Sequence, residues 1–87
     1  MSEEIKYGIC RPQEMPQSDW ETITEIVRKN AIKVWDADMD YIFFNDIRDS
    51  GSSCEEMISD YLKEFKGKGL EVRVWYLERA PDDVFEI

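Results

Sequence analysis

Histidine is absent from this 87-residue chain. With it go the side chain that ordinarily titrates near neutrality and the commonest metal ligand. Cations are scarce as well: 11 Lys and Arg stand against 20 Asp and Glu, a net charge of −9. So acidic a chain repels phosphate backbones, which argues against direct nucleic-acid contact and against anionic membrane surfaces. No apolar run approaches the roughly 20 residues that a membrane-spanning helix needs. The start, Met1-Ser2-Glu3-Glu4, has neither the basic residues nor the apolar stretch of a secretory signal. A cytoplasmic protein is expected, and Cys10 and Cys54 fit that compartment as free thiols. Neither a CxxC pair nor a Cys/His pattern occurs, so no structural metal and no cofactor is expected.

What is there points to a packed core. Hydrophobic residues make up 43% of the chain and aromatics 13%, too rich for an acidic disordered segment. Residues 1–87 are expected to form a single domain, since a chain this short holds one core.

Ile5, Tyr7 and Ile9 alternate with polar or small residues, the pattern of a half-buried strand. Pro12 and Pro16 then interrupt regular structure. Ser18 followed by Glu21 reads as a capping box, and Trp20, Ile23, Ile26 and Val27 form the apolar stripe of a packed helix to about Asn30. Ile32–Asp36 and Tyr41–Asn45 read as a hairpin around an Asp36–Asp40 turn. Ser52 with Glu55, or Ser53 with Glu56, offers a second cap. The helix after it places Cys54, Met57, Ile58, Tyr61, Leu62 and Phe65 on one face and stops at Gly67 and Gly69. Leu70–Leu77 is the last strand, and residues 79–87 form an irregular acidic tail. The order strand, helix, strand, strand, helix, strand is that of a ferredoxin-like α+β sandwich. It predicts a four-stranded antiparallel sheet, order 4-1-3-2, with both helices on one face.

Such a sheet leaves its other face bare. If Ile5, Tyr7, Ile9, Ile32, Val34, Ile42, Phe44, Val72 and Val74 point at the helices, then Lys6, Gly8, Lys33, Trp35, Tyr41, Phe43, Arg73 and Trp75 point away. Gly8 would leave a shallow trough flanked by aromatics. RNA-recognition modules stack bases on a sheet of this topology. The third strand here, Asp40–Asp46, lacks their basic residue and glycines, and the charge opposes RNA. Contact with another protein fits better; the bland alternative is that the tail or the Arg11–Gln17 segment covers the rings.

No constellation of residues demands catalysis. Asp36-x-Asp38-x-Asp40 copies the first three ligand positions of an EF-hand loop. Tyr41 stands where its obligatory glycine belongs and Ile47 where its bidentate glutamate belongs. A polar turn is expected there, with weak divalent binding as the alternative. Cys10 and Cys54 have no histidine to activate them. Asp49-Ser-Gly-Ser-Ser53 has one glycine and no following lysine, so it is not a phosphate loop. Glu21, Glu25, Glu55, Glu56, Asp60 and Glu64 fall mostly off the apolar stripes, with Asp46, Asp49, Asp82 and Asp83 adding to the field. Such a surface confers solubility. It also suits a basic, nucleic-acid-binding partner whose groove ordered carboxylates would occupy as a DNA mimic. The expected function is a non-enzymatic protein-binding inhibitor or adaptor. Its contact residues would be Trp35, Tyr41, Phe43 and Trp75 on the sheet and Glu21, Glu25, Glu56, Asp60 and Glu64 on the helices. The alternative is a homodimeric regulatory or small-ligand-binding domain.

Overall fold

Alternation of apolar residues organises the sheet. The computed structural model describes residues 3–48, 54–75 and 83–87. In β1 (Glu3–Cys10) the side chains of Ile5, Tyr7 and Ile9 are buried. They meet Ile42 and Phe44 of β3 (Tyr41–Arg48) on one side and Val72 and Val74 of β4 (Glu71–Trp75) on the other. Tyr7 stacks on Phe44 with ring centroids 5.1 Å apart. Helix α1 (Gln17–Asn30) lays Trp20, Ile23 and Val27 on this surface, and α2 (Cys54–Tyr61) with the 3₁₀ turn Lys63–Phe65 adds Ile58, Leu62 and Phe65. Both helices therefore share one core on one face of the sheet. Burying each of these large side chains contributes about 2 kcal/mol.

The α+β class and the antiparallel sheet stand, but the expectation of four strands is corrected. The sheet has five, in the order β2-β3-β1-β4-β5, where β2 is Lys33–Ala37 and β5 is Asp83–Glu86. The tail that reads as irregular supplies β5, antiparallel to β4. Phe85 packs against the core, and the backbone of Ile87 brackets the end of the helical layer. Its N–H donates to Leu70 and its carbonyl accepts from Gly67. Gly67 and Gly69 hold φ of 80° and 82°, left-handed backbone that ends the helical segment as expected.

Two local expectations also need correcting. Ser18 is not the cap of α1. The helix begins one residue before it, with extended Pro16 as cap and no side-chain cap bond. Proline's fixed φ sets up a helix start without one. Ser18 instead offers its carbonyl to the Thr22 hydroxyl. Ile32 does not point at the helices; it lies outside β2 and is exposed. The second capping site, Ser52 or Ser53, and the stretch 76–77 of the expected last strand lie outside the described residues. Among the described residues no helix is long and apolar enough to cross a membrane.

Candidate protein-binding surface

A β-bulge builds the bare face. Val34 pairs with Phe44 and Asp36 with Phe43, so Trp35 is an extra residue in β2. The bulge turns Trp35 and Asp36 outward in succession, while Val34 and Ala37 pack against the core. Trp35 thus leans over β3, its ring centroid 5.6 Å from that of Phe43. Tyr41, two residues before Phe43 on the same side of the strand, stacks at 5.7 Å. From the far side Trp75 approaches Phe43 to 6.2 Å. Trp35 is 46% exposed and Tyr41 39%; Phe43 and Trp75 are half-buried.

Gly8 explains why rings from β3 and β4 can meet across β1. A Cβ at this position would lie 2.9 Å from Phe43 Cε1 and 3.0 Å from Trp75 Cζ3. The trough expected at Gly8 is therefore not open: the two rings close over it, which replaces the packing a strand glycine lacks. Lys6, the next outward residue of β1, holds its ammonium 4.6 Å from the Trp35 ring and 5.0 Å from the Trp75 ring.

Charges of both signs frame the rings. Asn45 donates to a Glu4 carboxylate oxygen at 2.7 Å, and Arg73 pairs with Glu71 at 3.1 Å. Val84 of β5 faces the same way opposite Arg73 and is 50% exposed. Its place on this face is not apparent from the sequence, because the tail shows no strand periodicity. Cys10 lies at this end of β1, between Tyr41 and Glu71. Burial pushes its thiol above the ordinary value; the Arg73 guanidinium pulls the other way, and Glu71 adds to the rise. A raised thiol is a poor nucleophile, which agrees with a structural cysteine. The side chain of Cys54 lies outside the described residues.

The acidic residues sit elsewhere. Glu21 and Glu25 are exposed on α1 and border a shallow depression with Trp20, Thr24, Asp38 and Met39. Glu55, Glu56 and Asp60 on α2 are exposed with Glu64, but Lys63 and Lys66 lie among them. The structure thus brings the expected aromatic residues together and leaves the expected carboxylates on the opposite, helical side. Asp46 does not belong to the surface field. It is 8% exposed, beneath α2, and accepts a hydrogen bond from the Tyr61 hydroxyl at 3.3 Å.

Of the three aspartates at the β2–β3 turn, Asp38 is occupied by the backbone. Asp38 accepts the N–H groups of Asp40 at 2.7 Å and Tyr41 at 2.8 Å, which hold its carboxyl below the usual value. Among the described residues no group of three or more potential ligands is placed to hold a metal ion. Neither a family model, nor a curated protein, nor a solved structure matches the chain.

Proposed function

We propose that the chain is a non-enzymatic protein-binding module, an inhibitor or adaptor for a basic partner protein. One observation carries the reading: Trp35, Tyr41, Phe43 and Trp75 form one connected aromatic surface on a sheet face that no helix among the described residues covers. Large aromatic side chains dominate interface energetics, and rings already packed on one another lose little freedom on binding. A ferredoxin-like sandwich extended by β5 is the scaffold this reading assumes. The net charge of −9, to which the exposed carboxylates of α1 and α2 contribute, would steer a basic protein toward the molecule at long range.

A second reading is a homodimer through the same face. It is favoured by the near balance of charge there: Lys6, Lys33 and Arg73 against Glu4, Asp36, Glu71 and Glu86. That face is where two copies of an acidic chain repel each other least.

Capture from extract with wild type, Trp35→Ala and Glu21→Gln/Glu25→Gln tests the leading reading. A basic protein retained by wild type and lost with Trp35→Ala supports it, and salt-sensitive retention implicates the carboxylates. A captured set unchanged by either variant overturns it. Sedimentation equilibrium separates the second reading, since Trp35→Ala would then dissociate a wild-type dimer.

A further inference from the structure

Lys6 makes an unusual choice of neighbours for the central strand of a strongly acidic molecule. Among the described residues its ammonium contacts the two indoles, at 4.6 and 5.0 Å, and no carboxylate. Both distances fall inside the roughly 6 Å within which a ring face attracts a cation. Two acidic residues of this face are engaged by others, Glu4 by Asn45 and Glu71 by Arg73. Phe43 lies between the two indoles, 5.6 Å from one and 6.2 Å from the other. Two indoles from two strands therefore meet one ammonium, and Phe43 of a third strand braces them from between. The bulge at Trp35 and the missing side chain at Gly8 are the two features that let them converge.

We propose that Trp35, Phe43 and Trp75 form a binding site for an alkylammonium group, filled in the free protein by Lys6 and, in the complex, by a lysine ammonium of the basic partner. The proposal rests on the protein-binding reading and names the chemistry of that contact. Lys6 reaches the rings on a flexible four-carbon stem and can swing aside without moving β1. Exchange of one ammonium for another leaves the rings satisfied, so displacement costs no more than the single Lys6 contact. The field of a −9 chain then favours the incoming cation over an anionic or neutral group.

The test uses tetramethylammonium chloride as the probe, at ionic strength matched with sodium chloride, read from the Trp35 and Trp75 indole N–H resonances. Wild type should bind weakly, because Lys6 competes. Lys6→Ser should lower the half-saturating concentration by about fivefold, the value of one exposed cation–π contact. Lys6→Met, which keeps most of the stem, is the second variant if Lys6→Ser does not fold. Lys33→Ser removes the same charge from the same face but not from the rings, and should leave binding as in wild type. Adding Trp35→Ala to Lys6→Ser should abolish the gain. Equal binding by Lys6→Ser and wild type, or an equal gain in Lys33→Ser, overturns the proposal. Tetramethylammonium binding without any Trp35-dependent capture would leave the ammonium site standing and dismiss the protein module. Trp35-dependent capture without tetramethylammonium binding would do the reverse.

Discussion

The indole N–H of Trp20, on the first helix, donates to the backbone carbonyl of Asp38 at 2.8 Å. This bond ties α1 to the β2–β3 turn. Arg11 adds to the clamp: its backbone N–H donates to Asp40, and its guanidinium reaches the carbonyls of Met39 and Met15. The turn that displays Tyr41 is thus anchored from two directions. Trp20→Phe should lower stability by about 1–3 kcal/mol, combining a lost hydrogen bond with a small void. Denaturant unfolding checks it; an unchanged midpoint would show that the bond contributes nothing.

Asp38 makes the same turn acid-sensitive. Its folded-state carboxyl titrates below the ordinary 3.8 because two backbone N–H groups stabilise the anion. Its contribution is therefore complete above 3.8 and disappears as pH falls through the lower folded value. Asp38→Ala should lower the melting temperature near neutrality and flatten its dependence on pH below that point. Parallel melting curves for variant and wild type across the acid range would refute the assignment.

Tyr61 gives the opposite limb. Burial, with the neighbouring Asp46 charge next in weight, pushes its hydroxyl far above the ordinary 10.0. The neutral phenol is favoured in the folded state, so this stability is present below 10.0 and is lost only as pH rises toward the folded value. Tyrosinate absorbance from Tyr61 should appear only with alkaline unfolding. If Tyr61→Phe removes a step from the titration of the native protein near 10.0, the prediction fails.

At Gly8 an added methyl group meets two rings rather than backbone. The rings can give way, so Gly8→Ala should fold, at a cost of about 1–2 kcal/mol. Phe43 and Trp75 would be pushed outward, with a red shift of indole emission. Unaltered emission would mean that the rings do not rest on Gly8.

Ile87 tests the last strand. It is 8% exposed and joins the core from the end of β5. Ile87→Ala should cost about 2 kcal/mol or more, as expected for a buried isoleucine. A variant as stable as wild type would mean that β5 is not part of the cooperative unit.

Strict alternation made β1 and β4 legible. Ile5, Tyr7 and Ile9, and likewise Val72 and Val74, declare their buried side without any knowledge of partners. The spacing of Trp20, Ile23 and Val27 did the same for α1. From those faces the outward position of Phe43, Tyr41 and Trp75 follows. Three features were not legible because their causes are non-local. Asp83-Val-Phe-Glu86 is too short and too charged to show a period, and becomes a strand because the edge of β4 is there to pair with. The bulge at Trp35 is a mismatch of register between β2 and β3, which neither strand shows alone. Asp46 looks like one more surface acid until Tyr61, fifteen positions later, is folded over it.

The two borders of the sheet have a consequence for concentrated solutions. On one side the extra residue in β2 breaks the ladder of backbone donors and acceptors. On the other, β5 is four residues long and carries an acidic side chain at each end. Neither rim offers a long, flat template for stacking molecule upon molecule. Despite its exposed indoles, the folded chain should resist growing into fibrils.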